Sequence, residues 1–342
     1  VKAGRLAAAL LAAFSISQAS SHPSISPVRD LRLSYAGTPE TWPRPHLRAG
    51  AIFAEMGLPP ATVPPYAERA ALGAGLFFDR RLSARGDVSC ATCHWPELAW
   101  ADDKPLSRGT GGKATRRNTP SLLHTARTPL FDWDGKGHPL AARSLAPLFD
   151  PAEMGPQTAT RLEDRVGLGT AEIGESLAAY VRTLQRPSRF DLFLAGDKSA
   201  LSDEELEGLH LFRTKAGCAN CHSGQLLTDG RFHNLRLSSF GEVSQDLGRY
   251  DVTSVPEDAG RFRTPSLRHV SMTAPYMHNG LLPSLRAVVN FYARGGGDVR
   301  ARNAAEAARP LFQEAARLSP LVEALTLGDS EREALVAFLK SL

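Results

Sequence analysis

The chain is 342 residues long, 42% hydrophobic and 22% charged, a globular composition with room for two domains of ordinary size. Its formal net charge of +4 comes without a basic block, which excludes nucleic acid as an expected partner. The chain opens with the cations Lys2 and Arg5, an apolar run from Leu6 to Phe14, and the small-x-small sequence Ser17-Gln18-Ala19. That order reads as a signal peptide over residues 1–19, removed on export to the periplasm. The run is shorter than the ~20 apolar residues a membrane helix needs. No later run approaches that length, so no membrane span is expected after cleavage.

Residues 20–65 are rich in Pro, Ser and Arg and show little period. They read as an extended N-terminal arm, with one short helix expected from Leu47 to Met56 ahead of Pro59, Pro60, Pro64 and Pro65. Tyr66 to Phe78 reads as the next helix, with Ala70, Leu72, Ala74 and Phe77 on its apolar face and Pro65 where a helix start tolerates it. After the turn Asp79-Arg80-Arg81-Leu82-Ser83 comes Cys90-Ala91-Thr92-Cys93-His94, repeated in the second half as Cys218-Ala219-Asn220-Cys221-His222. C-x-x-C-H is the attachment signature of c-type haem. The thiols add to the porphyrin vinyl groups as thioethers, and the histidine becomes the proximal iron ligand. A zinc ribbon needs its C-x-x-C knuckles roughly 15–20 residues apart, and a redox dithiol gives no reason for a histidine after both pairs. The two signatures consume every cysteine of the chain, so two covalent haem c groups are expected. Attachment outside the cytoplasm agrees with the leader.

The surroundings of the signatures repeat as well. Leu72-x-x-x-Leu76-Phe77 before the first resembles Leu206-x-x-Leu209-x-Leu211-Phe212 before the second, where Ser202-x-x-Glu205 supplies a capping box. Glu175 to Leu184 parallels Glu333 to Leu342, with Tyr180 and Phe338 in register. Each unit therefore runs helix, haem site, loops, closing helix, the plan of a cytochrome c domain. The expected fold is all-α: two tandem cytochrome c-like domains at 66–190 and 191–342, with a linker from Arg186 to Ala200. The second unit is longer, largely through a polar stretch from Gly224 to Arg263.

From Tyr66 onward the chain resembles the bacterial dihaem cytochrome c peroxidase family and its MauG-like branch. In the first half the resemblance rests on Leu76-Phe77-Phe78-Asp79-x-Arg81-Leu82-Ser83, Arg117-Asn118-Thr119-Pro120-Ser121-Leu122, Trp133-Asp134-Gly135 and Glu153-Met154. In the second it rests on Gly260-Arg261-Phe262-Arg263-Thr264-Pro265-Ser266-Leu267-Arg268, Thr273-Ala274-Pro275-Tyr276-Met277-His278-Asn279-Gly280 and Phe291-Tyr292-Ala293-Arg294-Gly295-Gly296. The resemblance implies an enzyme driven by hydrogen peroxide. It makes His94 the proximal ligand of haem one and Glu153 the carboxylate that moves a proton between the two peroxide oxygens. The plain alternative for Glu153 is a solvated loop acid. Scavenging members carry a blocking histidine in the loop before Arg-Asn-x-Pro. Here Arg108 to Lys113 has none, and Thr110 falls at that position, so haem one is expected to be open without prior reduction.

The same resemblance makes His222 one axial ligand of haem two. Opposite it, scavengers place a methionine; this chain has Tyr292, as in the MauG-like branch, with Met272 and Met277 as the alternatives. A phenolate is a hard anionic donor that favours Fe(III) and higher states. Trp133 matches the tryptophan between the two rings, against the alternative of an ordinary core residue. Asn118, Thr273 and Pro275 match a calcium site between the domains, where neutral oxygens suit a hard cation. His233, His269 and His278 read as hydrogen-bonding residues, and Trp95 and Trp100 as packing near haem one.

The implied function is a periplasmic oxidase that uses hydrogen peroxide to form a high-valent state shared by both haems. It then oxidises an aromatic residue of a partner protein, a tryptophan first, by long-range electron transfer. Outcomes in the branch include maturation of a tryptophan-derived quinone and oxidation of tryptophan to kynurenine in a copper-binding partner from methanobactin operons. Ala216 stands where the quinone-forming enzyme has a tryptophan, which turns the expectation toward the copper-protein type of partner. The alternatives are a hydrogen peroxide scavenger reduced by small cytochromes or cupredoxins, and a non-enzymatic electron carrier.

Overall fold

The computed structural model describes residues 27–60, 66–137 and 139–342; the leader expected at 1–19 and Pro64 and Pro65 lie outside them. The arm's helix is α1 (Pro27–Ser34), not Leu47–Met56. The reason is tertiary. Gly50 takes a positive φ of 85°, and the backbone around it bonds to the second C-x-x-C-H loop instead of to itself. Arg48 N donates to Asn220 Oδ1 at 2.6 Å, and Gly224 N donates to Ala54 O at 2.9 Å. Glu55 completes the docking through Arg213, whose side chain is fully buried and whose Nη1 meets Glu55 Oε1 at 2.5 Å.

In the first half follow α2 (Ala67–Phe78), α3 (Leu140–Phe149), α4 (Ala159–Val166) and α5 (Thr170–Thr183). The stretch expected as a linker carries α6 (Arg189–Leu194), capped by Ser188 and Asp191, with Phe190 and Phe193 buried in the second core. Then come α7 (Asp203–Arg213), β1 (Phe232–Asn234), α8 (Tyr250–Thr253), β2 (Arg261–Arg263), α9 (Leu285–Ala293), α10 (Ala304–Ala307), α11 (Pro310–Ala315) and α12 (Asp329–Ser341). The described chain is thus mainly helical. Its two short strands pair antiparallel, with His233 opposite Phe262. The polar stretch in the second unit is not simply a loop: Phe240, Leu247 and Ala259 form a small core with Phe312 and Ala315 of α11.

Each half is closed by one helix crossing. A Cβ built on Gly73 of α2 would collide with the Ser176 carbonyl of α5 and press on Tyr180; one on Gly208 of α7 would collide with the Ala334 carbonyl of α12 and press on Phe338. The obstacle is backbone, which cannot rotate away, so only glycine lets the helices approach this closely. The aromatic neighbours repeat too: Phe77–Tyr180 at 5.2 Å and Phe212–Phe338 at 5.3 Å between ring centroids. This crossing corrects the expected face of α2. Turning Gly73 inward buries Ala70, Gly73, Leu76 and Phe77, which leaves Leu72 exposed and Ala74 only half-buried.

Candidate active site

The first C-x-x-C-H turn is held by its own side chains, Ser89 N donating to Thr92 Oγ1 at 2.9 Å. Trp100, at a φ of +54°, turns its carbonyl toward His94 Nδ1 at 2.8 Å. A carbonyl only accepts, so Nδ1 carries the proton and Nε2 keeps a free lone pair. Burial pushes His94 down to about 4, which keeps the imidazole neutral, the form that ligates a metal. Burial also raises the thiols, Cys90 to about 12 and Cys93 to about 11. A redox dithiol needs an accessible thiolate, so this environment argues against that alternative. Beside the signature lies a cavity of about 380 Å³, lined by Cys90, Cys93, His94, Glu153 and Trp133.

Glu153 sits on the turn after α3, its backbone N bonded to Asp150 O at 3.1 Å. Burial raises its carboxyl above the usual range, and its side-chain oxygens meet no hydrogen-bond donor among the described residues. A half-buried acid with a raised value and no partner is poised to exchange a proton with something in the cavity. Its carbonyl does structural work of a different kind, accepting from Thr110 N at 2.6 Å. Asp87 fixes the same loop from the other side, accepting from Thr110 Oγ1 at 2.7 Å and Gly111 N at 2.8 Å. Thr110 is therefore buried and committed.

The second signature repeats the device with a different residue: Leu227, at a φ of +52°, offers its carbonyl to His222 Nδ1 at 3.0 Å. Its cavity, about 250 Å³, is lined by Cys218, Cys221, His222 and Tyr292, and also by Asn118, Thr273, Pro275 and Met277. Tyr292 comes from α9; burial pushes its phenol well above the usual range, and the hydroxyl has no partner among the described residues. Met272 does not line this cavity: its sulfur takes Arg186 Nη1 at 3.4 Å. Arg48 of the arm lies on the cavity wall, so the arm helps build the second site alone.

Trp133 lines both cavities. Its Nε1 donates to Asn118 O at 2.9 Å, and its ring meets His278 edge-on at 6.4 Å. His278 hydrogen-bonds through its backbone, its carbonyl accepting from Asn118 N at 2.7 Å, while its ring stacks on Phe262 at 3.6 Å. His269 Nε2 bonds Arg186 O at 2.8 Å, and His233 Nε2 bonds Asp229 Oδ2 at 2.7 Å. Cys221, Asp229 and His233 hold donor atoms within 4.8 Å of one another, but Asp229 and His233 are already engaged with each other.

The two halves are locked by a buried ion cluster that the sequence did not suggest. Arg117 bonds Asp134 of its own half at 2.6 Å and Asp246 of the other at 2.7 Å. Burial works against the Asp246 carboxylate, but the Arg117 hydrogen bonds and charge outweigh it and hold the group down to about 2. That lies below the ~3.9 of an unfolded aspartate, so the contribution is full above about pH 4 and is lost as pH falls from there toward 2. Asp246→Asn is expected to cost about 3 kcal/mol at neutral pH and to flatten that acid-side loss, read as thermal melting at a series of pH values.

A second repeat lies beyond the haem signatures. Thr119-Pro120-Ser121-Leu122-Leu123-His124 matches Thr264-Pro265-Ser266-Leu267-Arg268-His269. Both histidines have φ near +59°, each N–H bonds the last residue of its unit's closing segment, Leu184 or Leu342, and the rings lie parallel at 6.1 Å. His124, on the second cavity's wall, is 4% exposed; among the described residues both its ring nitrogens are unpartnered, and Arg127 nearby has Nε and Nη2 buried without acceptors. What that wall lacks is an acceptor-bearing guest. A haem, with two carboxylates and a face for His222, is a group these residues fit.

Fold and cavities together define a dihaem c-type oxidoreductase. Residues 67–170 match the family model described as di-haem cytochrome c peroxidase. The chain is 36% identical to the methylamine utilization protein MauG of Methylorubrum extorquens, over 80% of this chain and 78% of that protein. It is 33% identical to the cytochrome-c peroxidase IdrP1 of a Pseudomonas species, over 83% and 84%. Among solved structures it matches a MauG-like protein associated with microbial copper homeostasis, with a TM-score of 0.68 and 30% identity, covering 85% of this chain and 93% of that one. The chain belongs to the dihaem cytochrome c peroxidase family, haem oxidoreductases whose cofactors are two haem c groups. Among the described residues no helix is long and apolar enough to cross a membrane.

Proposed function

We propose that this protein is a periplasmic, peroxide-driven oxidase that withdraws electrons over distance from an aromatic residue, a tryptophan first, of a partner protein. The observation that carries the reading is Tyr292: a phenol without a hydrogen-bond partner among the described residues, on the wall of the cavity lined by Cys218, Cys221 and His222. Haem iron, when bound, supplies the redox chemistry that breaks a peroxide O–O bond and holds the oxidising equivalents. The chain's residues do the rest. His94 and His222 would be the proximal ligands, each oriented by a backbone carbonyl. Glu153 would take a proton from the near peroxide oxygen and return it to the far one. The loop with Thr110 is tied to Asp87 and Glu153 O, which supports an open first site. Trp133, on both walls, would be the aromatic step between the sites.

Calcium would be held by Asn118, Thr273 and Pro275. All three line one cavity, and among the described residues Asn118 Oδ1 accepts no hydrogen bond while Nδ2 donates to Lys104 O. The likeness to a MauG-like protein of copper homeostasis supports a copper-binding partner. MauG and peroxidases are both among the relatives, and Met277 on the second cavity's wall is the observation that favours the scavenging alternative. Ascorbate separates the two readings. With Tyr292 as ligand both haems stay ferric under ascorbate; one haem reducing promptly would establish the scavenger and remove the oxidase.

A further inference from the structure

One buried carboxylate close to the first signature has no part in the reaction above. Asp102 is 1% exposed. Its Oδ2 accepts the Ser107 hydroxyl at 2.5 Å, and Lys104 N approaches Oδ1 at 3.3 Å. Ser107, 0% exposed, also touches Thr119 through the two hydroxyl oxygens. A hydroxyl has a single proton. Ser107 gives its proton to the carboxylate, so Thr119 must donate to Ser107, and the chain of bonds has one direction. Thr119 stands on the wall shared by both cavities, so the far end of this chain faces the chemistry.

We propose that Thr119, Ser107 and Asp102 form a proton relay ending on Asp102, which gains one proton when the first haem gains one electron and releases it when that electron leaves. This rests on the reading that the first haem occupies the Cys90–His94 cavity. The balance is simple: the electron comes from an external reductant, the proton from water, and an O–H bond forms on the Asp102 carboxylate. Protonation reverses the chain, so Asp102 donates to Ser107, Ser107 to Thr119, and Thr119 turns a donor toward the cavity where it had turned an acceptor. Burial supports the role, since it raises the Asp102 carboxyl against the Ser107 and Lys104 hydrogen bonds. The charged and titratable groups around it are Lys104 and Asp103 in its own loop, Cys93, whose sulfur also meets the Ser107 hydroxyl, and Glu153 beyond Cys93.

The test is a spectroelectrochemical titration of the first haem in the full dihaem protein between about pH 5 and pH 8. The wild-type midpoint should fall as pH rises, and Asp102→Asn should make it flat. A flat wild-type midpoint, or a slope that survives in Asp102→Asn, places the proton elsewhere and overturns the proposal. Thr119→Val leaves the carboxyl in place and cuts the relay; it should keep the slope but lose the solvent deuterium effect on the rate of first-haem reduction. If Asp102→Asn does not fold, an unchanged deuterium effect in Thr119→Val overturns the relay by itself. A haemochrome assay returning two haems per chain in each variant separates these outcomes from a failure of the haem assignment.

Discussion

Replacing Glu153 with Gln should lower the peroxide reaction by about 10²–10⁴-fold while both haems stay attached and the protein melts no lower than wild type. The two halves of that expectation come from different atoms of one residue. The structural atom is the backbone carbonyl, which holds Thr110 N and survives any side-chain change. The chemical atoms are the carboxyl oxygens, which have no partner in the described chain and so leave none stranded when one becomes an amide. An amide keeps the shape and loses the ability to accept and return a proton. On stability the sign is opposite to that of Asp246. Burial raises the Glu153 carboxyl, so folding works against its ionisation at any pH above the unfolded value, and glutamine removes that cost. Stopped-flow spectra with peroxide and thermal melts on one preparation test both halves. Full activity in the variant takes Glu153 out of the reaction; lost activity with lost haem or a lower melting point turns it into a scaffold residue.

What the sequence made legible divides along the range of the interactions. The haem signatures are local, and so are the caps of α7; both could be read from neighbouring residues. The paired helices were visible because the register of Tyr180 and Phe338 repeats. The buried face of α2 departs from the hydrophobic stripe through Leu72 because the partner helix selects Gly73 for its lack of a side chain. The helix expected at Leu47–Met56 failed for the same kind of reason: Asn220, far along the chain, takes the backbone that a helix would have used. The Arg117–Asp246 lock joins residues from separate halves, and no pattern around either one announces it. By contrast, the Thr-Pro-Ser-Leu-x-His repeat was present in the letters, and aligning the two halves beyond the signatures would have located His124 and His269 at the seam.

Tyr292→Met should convert the second haem from one that stays ferric under ascorbate to one that is reduced by it, a rise of a few tenths of a volt within the roughly 0.8 V range that axial ligands span. A thioether is neutral and soft where a phenolate is anionic and hard, so the exchange removes the charge that stabilises the oxidised iron. Burial by itself disfavours that charge and pushes the phenol up. A ferric iron held by His222 and Tyr292 would reverse that balance, as bound metals do for their ligands. The control is Met277, which shares the cavity wall. Met277→Leu should leave the potential near its wild-type value if Tyr292 is the ligand. Were methionine the ligand, Met277→Leu would lower the potential and Tyr292→Met would scarcely change it, so each variant predicts the opposite of the other under the rival assignment. Activity adds a second axis. Tyr292→Met should gain electron acceptance from small reductants and lose oxidation of the partner's aromatic residue, because a high-potential second site fills with electrons before it can hold a hole. A variant that keeps partner oxidation at the raised potential would separate Tyr292 from the oxidase function even with the ligand assignment intact.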